Sequence, residues 1–339
     1  MRLKSLAAGA ALFFAVALAV PLIAQSKDLR IYLIDVEGGQ STLFVAPSGE
    51  SVLVDTGSPG DRDAWRIVAA AKDAGVKQID HLLITHFHAD HVGGVPDLAA
   101  KIPIRNFYDH GETVEHDAAN GQKVWDAYEK VAKGASHTVV TPGFKLPVKG
   151  LDWTIVTAGG KMIDHPLPDA GQSNPYCSDF KKQEVDTSEN AQSDGSIIQF
   201  GKLRIADLGD LTWNKEGELV CPANRVGRVD IFIVSHHGLA ISNSPTLVHA
   251  LHPRVAIMDN GAKKGGTVEA WTSIHNSPGL EDLWQLHFSE VGGTEHNAVA
   301  DLIANPSADR DSAFYIKVTA HSDGHFEVTN QRNGFTKKY

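Results

Sequence analysis

Thr85-His86-Phe87-His88-Ala89-Asp90-His91-Val92-Gly93-Gly94 is the stretch on which the reading of the whole chain turns. Four metal-competent side chains, His86, His88, Asp90 and His91, fall within six positions and follow an apolar run, 79–85, that reads as a buried strand. A turn leaving such a strand is where a rigid scaffold can aim the ligands of a loop at one point. His86 and His88, two apart on an extended segment, project together. Asp90 and His91 enter the next turn and face a neighbouring point, so the run can serve two metals. Gly93 and Gly94 are expected to let the backbone turn tightly beneath the ions. A functionless surface histidine cluster is the bland alternative, and spacing this specific argues against it.

Around this run, strand-like and helix-like stretches alternate without a low-complexity linker or a solenoid repeat, which predicts one continuous domain over 25–339. Segments 31–36, 41–46 and 51–54 are short, β-branched and separated by Gly or Pro, as in an antiparallel meander. A helix is expected over 64–74, closed by Gly75. Downstream, 196–200 and 203–206 flank Gly201-Lys202 as a hairpin, and 229–235 is an apolar strand that stops at His236. Helices are expected at 122–133, 244–251 and 280–286, a strand at 254–258, and a hairpin over 314–328 around Asp323-Gly324. The polar, aperiodic stretch 159–190 reads as a long functional loop.

The start has the layout of a secretory signal, with Arg2 and Lys4 ahead of an apolar stretch over 6–23 and a cut expected after Ala24. The expected location is therefore periplasmic or secreted, without membrane attachment once 1–24 is removed; an uncleaved anchor is the alternative. No cysteine lies near the cut, which excludes lipid attachment there. A net charge of −10 disfavours an extended nucleic-acid groove and leaves a small-molecule or ester substrate as the expected partner. Cys177 and Cys221 are the two cysteines. In an oxidising compartment they invite a disulfide that constrains the unfolded chain by about 4 kcal/mol in the loop-entropy account, with two unpaired buried thiols as the alternative.

The histidine run resembles the first signature of the metallo-β-lactamase superfamily. That resemblance implies an α/β fold, the four-layer αββα sandwich of two mixed sheets flanked by helices, with metals at one edge. It also implies that His86 and His88 hold one metal and Asp90 and His91 the other. Ile205-Ala206-Asp207-Leu208-Gly209-Asp210-Leu211 looks like the superfamily's strand-end Gly-Asp, which gives Asp210 the bridging role and leaves Asp207 as a supporting carboxylate. His236-His237-Gly238 resembles the closing histidine of the second metal. Position favours His236 as ligand and His237 as a substrate-facing acid or a donor behind the ligands, although either could be the ligand.

More narrowly, the chain resembles the branch containing the ComEC hydrolase domain and bacterial phosphorylcholine esterases, over about Leu29 to Lys264. Asp55-Thr56-Gly57 matches that branch, whereas Asp35-Val36-Glu37-Gly38-Gly39-Gln40-Ser41 departs from its Asp-Val-Gly-Gln-Gly opening. Where many relatives have a third-signature histidine, this chain offers Asn190, Ser193, Asp194 and Ser196, and His165 lies outside the pattern. The first metal is thus one protein ligand short, and a single-metal site is an open alternative.

Two divalent ions about 3.5–4 Å apart lower the pKa of a bridging water towards about 7 and supply a nucleophile at neutral pH. Asp90, Asp210 and His237 are the expected catalytic residues. The centre stays net positive after its carboxylates are counted, so anionic substrates and oxyanionic transition states are favoured. In Asn260-Gly261-Ala262-Lys263-Lys264-Gly265-Gly266, Lys263 or Lys264 is a candidate phosphate contact with Asn260 beside it; a solvated Lys-Gly turn is the alternative. Asp55 is expected to steady the histidine loop. Zinc suits imidazole with carboxylate, and manganese or iron suits the same donors. Hydrolysis of a phosphodiester or related ester is the leading expectation. β-Lactam or lactone hydrolysis is a second, and a non-catalytic, metal-stabilised accessory role in DNA uptake or envelope processing a third.

Overall fold

Short β-branched runs broken by glycine and proline pair with one another as soon as the described chain begins. The computed structural model describes residues 27–116, 121–307, 309 and 313–339, so the expected signal segment 1–24 lies outside the described residues. The first half contains β1 (Leu29–Leu33), β2 (Thr42–Val45), β3 (Ser51–Val54), α1 (Asp61–Asp73), β4 (Ile79–Leu83), α2 (Ala89–Val92), α3 (Val95–Ala99), β5 (Ile104–Asp109), α4 (Gly121–Ala132) and β6 (Ser136–Val139). The middle adds β7 (Lys145–Leu146), β8 (Asp152–Ala158), β9 (Lys161–Met162), β10 (Gln172–Ser173), β11 (Gly195–Phe200), β12 (Leu203–Asp207), α5 (Trp213–Val220), β13 (Ala223–Asn224) and β14 (Ile231–Ile233). The rest comprises α6 (Pro245–Leu251), β15 (Val255–Met258), α7 (Val268–His275), β16 (Asp282–His287), β17 (Ile303–Asn305), β18 (Ile316–Ala320), β19 (Phe326–Asn330) and β20 (Thr336–Lys338).

Among the described residues one sheet runs β20-β19-β18-β1-β2-β3-β4-β5-β6 and the other β17-β16-β15-β14-β12-β11-β8-β7. The meander β1–β2–β3 is antiparallel, with Ile31 opposite Phe44 and Leu43 opposite Leu53. From β3 to β6 the pairing turns parallel, because helical connections return the chain to the same end of the sheet. β12, β14, β15 and β16 are parallel for the same reason, and β17 joins β16 in parallel after the 288–302 connection.

Three apolar clusters fill the spaces between layers. Phe44, Trp153, Ile155 and Trp284 pack between the sheets. Ala64, Ile67, Leu98 and Tyr128 seal the first sheet beneath α1, α3 and α4. Leu219, Leu247, Val248 and Ile274 seal the second beneath α5, α6 and α7. The result is a four-layer αββα sandwich, two mixed sheets face to face with helices on their outer sides, as the sequence resemblance implied.

One expected element has the wrong type. Residues 280–286, read as a helix, include most of strand β16, whose Trp284 lies opposite Ile257. The strand is covered on both faces, with Leu283 in the helix-side cluster and Trp284 and Leu286 in the inter-sheet one. Burial on both sides removes the apolar–polar alternation that marks a strand. The helix of this region is instead α7, begun by Thr267, whose hydroxyl accepts from Ala270 N.

Cys177 and Cys221 form the expected disulfide, joining the 159–190 stretch to the end of α5. No helix among the described residues is long and apolar enough to cross a membrane.

Candidate metal centre

Strands β4, β12 and β14 stop at one edge of the sandwich, and each delivers a candidate ligand three residues past its last residue: His86 after Leu83, Asp210 after Asp207, His236 after Ile233. Open α/β sheets gather ligands beyond strand carboxyl ends in this way. Asp55, itself in the left-handed region at φ 59, anchors the first turn. Its carboxylate accepts from Thr85 N at 2.8 Å and Thr85 Oγ1 at 2.6 Å, and lies 2.7 Å from His91 Nδ1. With Nδ1 so engaged, His91 Nε2 faces inward, 3.2 Å from Asp210 Oδ2 and 3.2 Å from His237 Nε2.

Gly93 and Gly94 do not supply the tight turn expected of them, since both have ordinary right-handed dihedrals. They supply close approach instead. A Cβ on Gly94 would lie 2.2 Å from Thr56 O, and one on Gly93 2.2 Å from Ala89 O.

Gly209 at φ 55 lies against Thr85 and turns Asp210 into the edge, where Ser193 Oγ accepts from Asp210 N at 3.2 Å. Asp210 Oδ2 then lies 3.8 Å from His86 Nε2, 3.2 Å from His91 Nε2, 3.3 Å from His236 Nε2 and 3.6 Å from His237 Nε2. Its Oδ1 is buried without a protein partner. Asp207 turns elsewhere: Gln40 Nε2 donates to both its oxygens at 2.9 Å, and burial pushes its pKa up to about 7.

The pair at 236–237 departs from the order that strand position suggests. Both residues have positive φ, 54 and 55, so the chain twists sharply and the first residue out is not the deepest. His237 is fully buried, with Nε2 3.4 Å from Asp90 Oδ2 and Nδ1 3.3 Å from Asp259 Oδ1. His236 meets Asp210 with Nε2, keeps Nδ1 3.1 Å from Ser242 Oγ, and retains a little exposure. Two groups of donor atoms converge as a result: His86, His91 and Asp210, and Asp90, His91 and His237. His88 sits at the margin, its Nδ1 3.1 Å from His86 Nε2 and its Nε2 3.2 Å from Glu115 Oε1.

Four imidazoles thus have one nitrogen held by a side chain behind it, His86 by Thr85, His88 by Glu115, His91 by Asp55 and His236 by Ser242, and His237 Nδ1 faces Asp259 Oδ1 at 3.3 Å. Partners of this kind fix tautomer and ring direction in metal sites. Facing ring nitrogens at 3.1–3.2 Å and a shared carboxylate oxygen form a donor set that fits divalent ions. Burial alone would raise the pKa of Asp90, but His91, His237 and Lys264 hold it well below the usual carboxylate range.

The residues at the third signature take supporting positions. Ser193 holds Asp210, Ser196 Oγ accepts from Trp153 Nε1, Asn190 is buried in a 3₁₀ turn, and Asp194 N donates to Thr85 O. His165 is exposed on its loop. Of the candidate substrate contacts, only Lys264 reaches the centre, where it pairs with Asp90. Lys263 is exposed, and Asn260 is buried with its Nδ2 donating to His287 O at 2.8 Å, holding the loop rather than facing a ligand. Sequence reasoning missed Glu115, Asp259 and Ser242. Asp259 follows directly on the apolar strand β15, the one signal that pointed to it.

Residues 35–177 match a family model described as the Metallo-beta-lactamase superfamily. The thioesterase pkgB of Emericella nidulans is 34% identical over 106 residues, covering 31% of this chain and 29% of that protein. An atrochrysone carboxyl ACP thioesterase of Aspergillus terreus is 32% identical over 85 residues, covering 25% of each. This chain therefore spans less than a third of these relatives, which are thioesterases by name and not of the ComEC branch. Among solved structures, Igni18, a metallo hydrolase from Ignicoccus hospitalis, aligns at 15% identity and a TM-score of 0.41 over 75% of this chain and 94% of that one.

Proposed function

We propose that this chain, whose histidine run and four-layer sandwich are of the metallo-β-lactamase kind, is a metal-dependent hydrolase of esters or thioesters. The observation that carries the reading is the position of Asp210 Oδ2, within 3.2–3.8 Å of an Nε2 from each of four histidines drawn from two strand ends. His86, His88, Asp90, His91, Asp210 and His237 would hold the metal, with zinc first by donor chemistry. Divalent ions bound there would polarise water and the scissile carbonyl and so supply a nucleophile near neutral pH.

The protein's own part is positioning and proton transfer. His236, backed by Ser242 and less buried than His237, takes the proton of the attacking water and returns it to the leaving alcohol or thiol. Water adds its oxygen to the carbonyl carbon, the C–O or C–S bond breaks, and an acid and an alcohol or thiol form. Lys264, beside Asp90, meets the negative charge that develops on the substrate. The names of the relatives support the ester and thioester reading. Asp55-Thr56-Gly57 and His236-His237-Gly238, together with the cation at Lys264, support phosphodiester hydrolysis as the second reading. The start of the chain and the Cys177–Cys221 bond support action outside the cytoplasm by a mature chain beginning near residue 25.

The test is a substrate panel on zinc-loaded protein: an acyl thioester, a chromogenic ester, a chromogenic phosphodiester, a cephalosporin and a lactone, with metal content measured on the same sample. Expected is zinc-dependent turnover of ester or thioester, reduced at least a hundredfold in Asp210→Ala. Turnover of the phosphodiester alone would favour the second reading. Fully metallated protein that turns over none of them would point to a non-catalytic role.

A further inference from the structure

Residues that follow the candidate ligands closely in the chain help to line a cleft of about 480 Å³, whose walls include Val185, Asn190, Thr212, Trp213, Asn214 and Ile241. Its lining residues are joined through the chain to the groups that build the site. Thr212 is two residues past Asp210, and Asn190 belongs to the 3₁₀ turn that leads to Ser193, the residue holding Asp210 N. Ile241 O accepts from Trp213 N at 2.9 Å, and the next residue, Ser242, holds His236.

The outer wall is a built strap. Asn214 Oδ1 accepts from Gln183 N at 2.9 Å, its Nδ2 donates to Gln183 O and Glu184 O, and Trp213 Nε1 donates to Lys181 O at 3.0 Å. On this otherwise polar strap Val185 is 80% exposed, and across the cleft Ile241 is 49% exposed. Val185 and Ile241 thus set aliphatic surface on two walls of one cleft, the kind of lining an apolar ligand packs against. Glu184 and Asp186 also line the cleft and repel an anionic one.

We propose that this cleft is the acyl subsite of the enzyme, taking the uncharged, apolar acyl group of an ester or thioester. The inference rests on the hydrolase reading above. The acyl chain lies on the Asp210–His236 side, while the leaving group lies towards Asp90, His237 and Lys264.

The experiment compares p-nitrophenyl acetate and p-nitrophenyl octanoate on the zinc-loaded full chain. A methylene moved from water into an apolar site favours binding severalfold, so kcat/KM for octanoate should exceed that for acetate by at least about tenfold. In Val185→Asp and Ile241→Asp that ratio should fall by about tenfold, chiefly through KM for octanoate. The ratio is taken within one preparation, so a change in the folded fraction does not move it. Equal kcat/KM for the two esters, or a ratio unaltered in both variants, would overturn the subsite while leaving the hydrolase reading intact. Absence of zinc-dependent turnover of either ester would overturn the subsite, and the hydrolase reading falls with it only if the acyl thioester and the rest of the substrate panel are also left intact.

Discussion

At the scale of single residues, the centre depends on side chains that never touch a metal. Asp55 fixes both Thr85 and His91, so Asp55→Asn, nearly equal in size but neutral, should weaken zinc binding by about 10–100-fold. Competitive titration against a chromogenic chelator measures this, and unchanged affinity would deny Asp55 its orienting role. Glu189 braces the same loop from the other side. Burial would raise its pKa, but hydrogen bonds from His110, Thr113 and Val114 outweigh that and hold it at about 2. A carboxylate depressed in the folded state stabilises the fold above its unfolded pKa, about 4.5, and the gain disappears as pH falls from there towards about 2. The amount is roughly 3 kcal/mol. Denaturant melts of the parent and of Glu189→Gln should therefore differ most at neutral pH and converge in acid; a gap independent of pH would show that the carboxylate's charge is not the source.

At the scale of elements, strand ends and the turns beyond them set the geometry. The turn after β4 lies so close to the neighbouring Thr56 backbone that glycine is required at 94 for space, not for its dihedrals. Gly94→Ala should lower stability by about 1–3 kcal/mol and loosen the Thr56 N to His91 O hydrogen bond, which now spans 2.6 Å. Thermal melting of the apo-protein reads the first effect, and amide exchange at Thr56 the second. Wild-type values for both would mean that the turn has room to shift. Meanwhile the strap over 181–186 is attached to α5 through Trp213 and Asn214, so the wall of the cleft moves with the helix that follows Asp210.

At the scale of the whole molecule, the two sheets meet through one apolar core, and both contribute to the centre: β4 belongs to one sheet, β12 and β14 to the other. A metal held across that seam stabilises the folded state by mass action. Removing it with a chelator should lower the melting temperature by several degrees, and zinc should restore it. An unchanged melt in protein stripped of metal would contradict a ligand set spanning both sheets. The Cys177–Cys221 bond acts on the unfolded chain instead, across a sequence separation of 44 residues. Its loss in the Cys177→Ser, Cys221→Ser double variant should cost about 4 kcal/mol, measured by denaturant unfolding at fixed metal content.

The histidine run, the Gly209-Asp210 turn and the His236-His237 pair could be read from sequence because each is local: a few donors crowded at the end of an apolar stretch are improbable without a use. The antiparallel meander and the final hairpin were legible for a similar reason, since turn residues and β-branched runs act on near neighbours. Strand β16 was not, because burial on both faces erases the alternation that announces a strand. Nor were Glu115, Ser242 and Asp259, which stand alone in the chain and gain their roles only when separate strand ends and loops converge on one edge. The order of His236 and His237 belongs to the same class, because the left-handed twist of that turn, not distance along the strand, determines which ring is deeper. Sequence by itself determined which chemistry is available, through residue types set close together; tertiary structure alone decided direction and depth, since these depend on contacts between segments that the sequence holds far apart.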